Sequence, residues 1–239
     1  MTPLVILIIL DIKTMPGREI PLVNNEIYHI LNKGISSQPI FLTKRDYNRA
    51  LQTIFYYQNQ QLLLKYSRFL SLSNKQRLLI LEKLKKERLI LVEIIAFCLM
   101  PNHFHLLLKQ VIGGGIPKFI GNFTNSYTRY FNTKNKREGA LFKGKFKAVR
   151  IESDEQLLHV SRYIHLNPYS SYVIKTLGEL ENYPYSSLPE YLQKLPNNFC
   201  QKEIILGQFK NINSYKNFVF DQADYQRELE NIKHLILEE

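Results

Sequence analysis

The stretch Phe97-Cys98-Leu99-Met100-Pro101-Asn102-His103-Phe104-His105-Leu106-Leu107-Leu108 predicts two adjacent buried strands near the middle of the chain. Pro101-Asn102 separates its two apolar halves, because proline lacks an amide N–H and asparagine favours turns. Side chains two residues apart on a strand point to the same face, so His103 and His105 project together. Two adjacent imidazoles can form half of a divalent-metal site, although such a pair alone is more often two ordinary histidines.

The composition of the chain is that of a basic globular protein. It has 239 residues and 45% hydrophobic content, which is enough for one sizeable core. The net charge of +11 favours a polyanionic partner, most often nucleic acid, although a merely basic soluble protein has the same balance. The only two cysteines, Cys98 and Cys200, give no disulfide framework and fit a reducing cytoplasm, where we expect the protein to reside.

The N-terminal segment differs from the rest of the chain. Its apolar run, Leu4–Leu10, is too short for a transmembrane helix and follows no basic region, so no membrane association is expected. A signal peptide is the alternative interpretation of this run, although nothing downstream is typical of a secreted protein. Because Met15-Pro16-Gly17-Arg18 would make a natural beginning for a basic soluble protein, residues 1–15 are interpreted as a non-native or mis-assigned start. We predict a principal domain over residues 16–195 and a helical C-terminal tail over residues 196–239.

Hydrophobic periodicity and capping signals predict an α+β chain in the order β-α-β-β-α-β, followed by further helices. Thr43 and Ser153 are the expected N-caps of two of these helices. The predicted strands are Glu26–Asn32, Leu89–Cys98, Asn102–Lys109 and Phe146–Ile151. The predicted helices are Lys44–Tyr57, Leu62–Phe69, Asn74–Arg88, Ile116–Phe131, Asp154–Leu166, Leu188–Leu195 and Tyr225–Leu237.

The densest basic stretch lies before and within the last predicted strand, with Phe142 and Phe146 interleaved among its cations. Cationic side chains mixed with aromatic rings are typical of a groove that follows single-stranded nucleic acid, but an exposed basic loop is equally compatible. The candidate DNA-binding residues in and around this stretch are Arg129, Lys143, Lys145, Lys147, Arg150 and Arg162.

The predicted helix Asp154–Leu166 carries a candidate nucleophile. His159, Tyr163 and Asn167 are spaced i, i+4 and i+8 and therefore share one face. His165 lies on roughly the opposite side. A tyrosine with an amide oxygen four residues further on can offer a nucleophile and a metal ligand to one point, whereas a packing tyrosine with a capping asparagine is the alternative. His159 is a candidate accessory proton carrier or a packing residue.

Two segments resemble a known family. The sequence of Leu99–Leu106 resembles the HUH motif of single-tyrosine transposases. The sequence of Arg162–Pro168 resembles the tyrosine helix of the subgroup associated with repetitive extragenic palindromes. Weaker similarity in three further segments extends the resemblance over about residues 16–195: Tyr28–Gly34, Gly139–Lys147 and Tyr185–Ser187. The chain departs from the family in having Lys145 where an arginine is usual, so the planar guanidinium fork is lost there.

The resemblance implies a ferredoxin-like domain with a central antiparallel sheet and packed helices, to which this chain adds a helical C-terminal extension. It implies that His103, His105 and Asn167 bind a Mg²⁺ or Mn²⁺ ion. Tyr163 would then be the nucleophile of a transposase, an endonuclease and strand transferase in DNA recombination. The implied partner is single-stranded DNA with hairpin ends, cleaved through a 5′-phosphotyrosine intermediate. Both a monomer and a homodimer are compatible with the sequence.

Two other functions stay open. One is a domesticated, non-catalytic protein that binds structured nucleic acid, although a pure binder needs neither the paired histidines nor Tyr163 with Asn167. The other is a relaxase-like or replication-initiator nicking enzyme, which the length of the chain and the lack of a second tyrosine beside Tyr163 disfavour. In each case we expect a bacterial cytoplasmic protein that associates with the nucleoid when bound to DNA.

Overall fold

A computed structural model describes residues 21–195 and 199–237, with side chains up to residue 230. The interpreted start segment, residues 1–15, lies outside this range. Four strands form one antiparallel sheet in the spatial order β2-β3-β1-β4. The strands are β1 (Ile27–Lys33), β2 (Val92–Met100), β3 (His103–Gln110) and β4 (Lys147–Arg150).

The helices follow the strands in the predicted alternation. The β-α-β-β-α-β order and the antiparallel sheet confirm the expected α+β, ferredoxin-like fold. A 3-10 turn at Ile35–Ser37 precedes them. The α-helices are α1 (Lys44–Tyr57), α2 (Tyr66–Leu70), α3 (Asn74–Glu87), α4 (Gly115–Asn135), α5 (Asp154–Ser170), α6 (Leu177–Leu180), α7 (Leu188–Tyr191), α8 (Glu203–Leu206), α9 (Ile212–Phe220) and α10 (Ala223–Leu237).

The two faces of the sheet are covered by different helices. Phe104 of β3 points to one face, where its ring centroid lies 5.2 Å from that of Phe123 on α4. His105 points to the other face, where its ring centroid lies 5.4 Å from that of Tyr163 on α5. This alternation along β3 follows from strand geometry. It places the paired histidines and the candidate nucleophile on the same side of the sheet.

Helix α1 begins at the predicted N-cap. The Thr43 side chain accepts a hydrogen bond from the Asp46 backbone, and the Asp46 carboxylate accepts one from the Thr43 backbone, which completes a capping box. Asp46 is fully buried, and its carboxylate lies 2.6 Å from Lys134 Nζ at the end of α4. Lys134 and Tyr130 hold the pKa of this carboxyl below its usual range against the opposing effect of burial. One charged pair therefore ties α1 to α4.

Helix α5 extends to Ser170, four residues beyond its predicted end at Leu166. A proline at position 168 removes one helical hydrogen bond, which is why the sequence predicts an earlier end. The last turn is stabilised by the C-terminal region, because Arg227 on α10 donates to the Tyr169 carbonyl oxygen at 2.8 Å and stacks on the Tyr169 ring. Tertiary contacts outweigh the local penalty here.

The predicted tail consists of helices that pack on the principal domain. In addition to the Arg227 contacts, Tyr169 donates to Asp224, and Gln226 donates to the Tyr163 carbonyl oxygen at 3.3 Å. The boundary at residue 195 stays a prediction. None of the helices in the described part of the chain is long and apolar enough to cross a membrane.

His165 lies on the side of α5 opposite Tyr163, as the helical spacing predicts. There it connects four parts of the fold. Its Nδ1 lies 2.7 Å from the Tyr215 hydroxyl on α9, and its Nε2 lies 2.7 Å from Ser187 Oγ before α7. Ser187 Oγ also accepts a hydrogen bond from the Phe97 backbone on β2. Burial lowers the pKa of His165 to about 3, so the imidazole is neutral in the folded protein.

This burial predicts a loss of stability in acid. Below about pH 6.5 the unfolded chain binds a proton at His165, whereas the folded chain does not. The contribution of neutral His165 to the free energy of unfolding is therefore complete above that pH and decreases as the pH falls towards 3. We expect His165→Gln to be less stable at pH 7.5. Its free energy of unfolding should also fall less steeply between pH 6 and 4.5, by up to about 1.4 kcal/mol per pH unit.

Urea denaturation at several pH values measures both effects. Tyr215→Phe is the matched control, because it removes a hydrogen bond from the same cluster without removing a group that titrates in acid. It should lower stability by a similar amount at every pH. Parallel pH profiles for wild type and His165→Gln would contradict the prediction.

Candidate metal and nucleophile site

The antiparallel register places the paired histidines at the centre of the sheet. His103 lies opposite Lys33 of β1, and His105 lies opposite Leu31. The two imidazole ring centroids are 4.9 Å apart. A third histidine, His29 of β1, stacks on His105 at a centroid distance of 5.1 Å. Three imidazoles therefore share one face of two adjacent strands.

One nitrogen of each paired histidine is already engaged. His103 Nδ1 lies 2.6 Å from Asn102 Oδ1, and because that oxygen can only accept, Nδ1 carries the proton. His105 Nδ1 lies 2.9 Å from His29 Nε2. A metal would therefore contact both residues through Nε2, the arrangement seen when a neighbouring group fixes the orientation of a histidine ligand. Burial lowers the pKa of both His29 and His103 to about 4, which keeps these imidazoles neutral.

Helix α5 presents Tyr163 and Asn167 to the histidines from above the sheet. The Tyr163 ring meets His105 edge-on, and its centroid lies 6.1 Å from that of His29. The Asn167 side chain approaches both the His103 imidazole and the Tyr163 hydroxyl. Asn167 Oδ1 is nevertheless buried without a well-formed hydrogen bond to any residue that the structure describes. An orphaned amide oxygen of this kind is suited to a cation.

The residues present fit a divalent ion through two imidazoles and one amide oxygen. In the described ranges, no group of three His, Cys, Asp or Glu side chains is arranged to hold a metal. The predicted third donor, the amide oxygen of Asn167, belongs to none of these four residue types. The structure brings His103, His105, Asn167 and Tyr163 together, and their roles as metal ligands and nucleophile stay predictions.

The surroundings of Tyr163 oppose its ionisation. Burial and the charge of Glu230 on α10 raise the pKa of the Tyr163 hydroxyl, whereas the Asn167 amide lowers it. The charge of Glu230 also favours a higher pKa for His103, against the larger opposing effect of burial. In this arrangement Tyr163 is a neutral phenol at pH 7, which is a weak nucleophile until positive charge is placed beside it.

Two of the predicted basic residues, Lys143 and Lys147, lie beside the site together with Lys33. Lys147 on β4 shares the face of His105, because both residues pair with Leu31. The Lys143 backbone donates to the Lys33 carbonyl oxygen at 2.7 Å, and Lys33 is the cross-strand partner of His103. Burial and the charges of Lys33 and Lys143 lower the pKa of Lys147. These residues form a cationic border of the site at the β4 edge.

The other basic candidates have different positions. Arg150 forms a 2.9 Å ion pair with Glu26, and Lys145 lies in the loop before β4. Arg129 lies on α4, across the sheet from Tyr163. Arg162 stacks on the Phe218 ring and donates to the Phe218 carbonyl oxygen and to His159 Nδ1. Their roles in DNA binding, and that of His159 as an accessory residue, stay predictions.

Sequence reasoning missed three residues of the site: His29, Lys33 and Glu230. The alternation along β1 places His29 and Lys33 on one face, which is a signal in the sequence. The pairing of β1 with β3 is needed to turn that face towards His103 and His105. No local signal connects Glu230 with Tyr163, because the contact depends on how α10 packs.

Comparison with known proteins agrees with the resemblance of the motifs. Residues 64–167 match the family model for IS200-like transposases. This interval contains His103, His105 and Tyr163 and ends at Asn167. The match spans less than half of the chain. A search of curated proteins found no match.

Two solved structures are similar to this chain. A REP-associated tyrosine transposase, bound to a REP hairpin, superposes with a TM-score of 0.53 at 14% sequence identity, covering 76% of this chain and 87% of the other. Its fold is shared. A putative transposase from Deinococcus radiodurans R1 gives a TM-score of 0.34 at 13% identity, covering 63% of this chain and 95% of the other.

The contact between Asn102 and His103 predicts the tautomer of His103. Long-range ¹H–¹⁵N spectra of the metal-free protein should show the His103 proton on Nδ1, because Asn102 Oδ1 accepts it. Asn102→Ala should allow the Nε2-protonated tautomer to appear, while the signals of His165 remain as in the wild type. A wild-type His103 protonated on Nε2 alone would show that the Asn102 contact is wrong.

Proposed function

We propose that the chain is a metal-dependent transposase that cleaves and rejoins single-stranded DNA beside a hairpin through a 5′-phosphotyrosine. The observation that carries this proposal is that side chains of strand β3 and helix α5 meet at one place. His105 and Tyr163 are in edge-to-face contact, and Asn167 approaches both Tyr163 and His103. The match of residues 64–167 to the family model for IS200-like transposases supports it.

The partner we propose is single-stranded DNA that carries a hairpin. The similar REP-associated transposase is bound to a REP hairpin, and the shared fold covers 76% of the present chain. The net charge of +11 favours a nucleic acid. Lys33, Lys143 and Lys147 at the β4 edge would bind phosphates next to Tyr163.

A divalent ion bound by His103, His105 and Asn167 would supply positive charge to the scissile phosphate and to the Tyr163 oxygen. Both Mg²⁺ and Mn²⁺ are compatible with the reaction, and imidazole donors suit Mn²⁺ better. His29 and Asn102 would orient the ligands by holding their Nδ1 atoms.

In the proposed reaction, Tyr163 Oη attacks the phosphorus in line with the leaving group. The Oη–P bond forms, and the bond from phosphorus to the 3′ oxygen of the preceding nucleotide breaks. The phenolic proton leaves Tyr163, and the departing oxygen gains a proton to become a 3′-hydroxyl. The Asn167 amide stabilises the developing phenolate, because its contact lowers the pKa of Tyr163. The phosphotyrosine ester keeps the bond energy, so a second 3′-hydroxyl can reverse the step and join new strands.

A labelled-oligonucleotide assay tests this chemistry. With Mn²⁺ and single-stranded hairpin oligonucleotides from the host genome, we expect a covalent protein–DNA adduct on a denaturing gel that retains a 3′ label and loses a 5′ label. EDTA and Tyr163→Phe should both abolish it, because the first removes the ion and the second the attacking oxygen.

Two outcomes would contradict parts of the proposal. An adduct that persists in Tyr163→Phe would assign the nucleophile to another residue, and an adduct that retains the 5′ label would reverse the polarity of cleavage. Tyr172→Phe is the matched control, since Tyr172 is exposed on a turn after α5. Hairpin binding without an adduct under any of these conditions would favour the non-catalytic binder.

Metal affinity provides a second test that needs no DNA. We expect Asn167→Leu to abolish Mn²⁺ binding measured by titration calorimetry. We expect His29→Phe to weaken it by about 10- to 100-fold, because the residue that orients His105 is lost. His159→Gln is the control, as His159 contacts Arg162 rather than the other imidazoles. Unchanged affinity in both Asn167→Leu and His29→Phe would refute the proposed donor set.

A further inference from the structure

An apolar groove lies beside helix α3, and the residues that line it include neither Tyr163 nor the paired histidines. Its volume of about 1240 Å³ exceeds the roughly 300–1,000 Å³ of most small-molecule pockets. One wall is α3, and the other is formed by α1, α2, the start of β2 and the segment that begins at Phe199. The apolar side chains that line the groove include Phe55, Leu70, Leu78, Leu81, Ile94 and Phe199.

Helix α3 is formed by local signals and contributes little to the core. Ser73 and Gln76 complete a capping box at its N-terminus, and among the described residues of α3 only Leu84 is buried. Leu78 and Leu81 line the groove and are 60% and 46% exposed. Exposed apolar side chains that are contiguous in this way mark interaction sites. This face of α3 is therefore available to another molecule.

The opposite wall of the groove is preformed. The rings of Phe55 and Phe199 stack at a centroid distance of 3.9 Å. The Tyr56 ring lies 5.0 Å from that of Phe69, and the Tyr56 hydroxyl donates to the Leu64 carbonyl oxygen at 2.7 Å. Because these rings are already held in place, a partner would bind without first having to order this wall.

The backbone around the groove disfavours binding by strand addition. Strand β2 is at an edge of the sheet, and such an edge is where a peptide adds as a further strand. Here the Gln201 backbone already donates to the Ile94 carbonyl oxygen, and the Leu91 backbone donates to the Gln58 carbonyl oxygen. The contacts that the groove offers are therefore made by side chains.

The side chains on the α3 wall form one stripe. Its members recur at helical spacing, and a stripe from residue 77 to residue 88 is about 16 Å long at 1.5 Å per residue. An amphipathic helix laid along it would place its own i, i+3, i+4 and i+7 positions in the groove. The stripe consists of Arg77, Leu78, Leu81, Leu84, Lys85 and Arg88.

The α3 side of the groove is positive. In the described parts of the chain, Arg77, Lys85 and Arg88 form no ion pair with a carboxylate. Glu93 on the other wall lies 3.7 Å from Lys109. Between residues 74 and 88 the chain carries six Lys and Arg side chains and two Glu side chains. A partner that covers the leucines would need negative charge around its apolar face.

Other occupants match the groove less well. A second copy of the chain that docked through the same face would bring an equally positive α3 beside the first. A lipid bilayer is flat, whereas Leu78 and Leu81 line a concave surface. A phosphate backbone is bound by cations and hydrogen-bond donors and gains little from leucines.

We propose that the groove between α3 and α1 binds an acidic amphipathic helix of a partner protein. The apolar face of this helix covers Leu78 and Leu81, and its carboxylates lie against Lys85 and Arg88. The surface adds a protein interaction to the chain and is independent of the proposed chemistry of Tyr163.

Fluorescence anisotropy with two labelled synthetic peptides tests the proposal. The first is an amphipathic peptide of about 20 residues, with leucines at i, i+3, i+4 and i+7 and glutamates on the opposite face. The second has lysine in place of every glutamate. The protein is the full chain.

Two pairs of neighbouring positions on α3 provide matched variants. Leu78→Ser removes a leucine that lines the groove, and Leu79→Ser removes one that is 58% exposed outside it. Lys85→Glu reverses a charge in the groove, and Lys86→Glu reverses an exposed charge outside it. The two members of each pair change the same residue type in the same helix, so any loss of helix propensity is shared.

We expect Leu78→Ser to bind the acidic peptide about tenfold more weakly than Leu79→Ser does, because the buried contact of one leucine is lost. Lys85→Glu should bind it about threefold more weakly than Lys86→Glu at low salt, and this difference should shrink at high salt. The lysine peptide should bind the wild type more weakly than the acidic peptide does.

Equal affinities of Leu78→Ser and Leu79→Ser, no preference for the acidic peptide, or no binding of it at about 1 mM would overturn the proposal. Binding of a single-stranded oligothymidine or of phosphatidylglycerol vesicles that is lost in Leu78→Ser would replace the assigned partner with that ligand. A dimer in sedimentation that Leu78→Ser dissociates would replace it with a second copy. Because the peptide assay needs neither DNA nor metal, its failure leaves the proposed function unaffected.

Discussion

The pairing of β1 with β3 at the centre of the sheet is the constraint on which the site depends. It places Lys33 opposite His103 and brings His29 Nε2 to 2.9 Å from His105 Nδ1. Because side chains alternate along a strand, a slip of one residue would turn both paired histidines towards α4, where Phe104 now packs. The buried apolar residues that fix this register therefore also fix the direction of the imidazoles.

Burial determines the chemical state of the groups in the site. It keeps the imidazoles of His29 and His103 neutral, the state that the metal binding proposed for His103 requires, and it disfavours the phenolate of Tyr163. The C-terminal helix α10 contributes to these chemical states, because the charge of Glu230 raises the pKa of both Tyr163 and His103. The C-terminal region is therefore a component of the site as well as a support for α5.

The sheet separates two cationic surfaces with different chemistry. Lys33, Lys143 and Lys147 border the tyrosine on one face, beside groups suited to a metal and a scissile phosphate. On the other face, a groove between α1 and α4 is lined by Arg45, Arg49, Lys118 and Arg129.

The sequence alone determined the features that depend on local pattern: the strand that carries His103 and His105, the helix that carries Tyr163 and Asn167, and the cap at Thr43. Periodicity and capping act within a few residues, so they can be read without the fold. The tertiary structure decided the strand order, the roles of His29 and Glu230, and the extension of α5 through Pro168. These features arise between segments distant in the chain, where packing outweighs local preference.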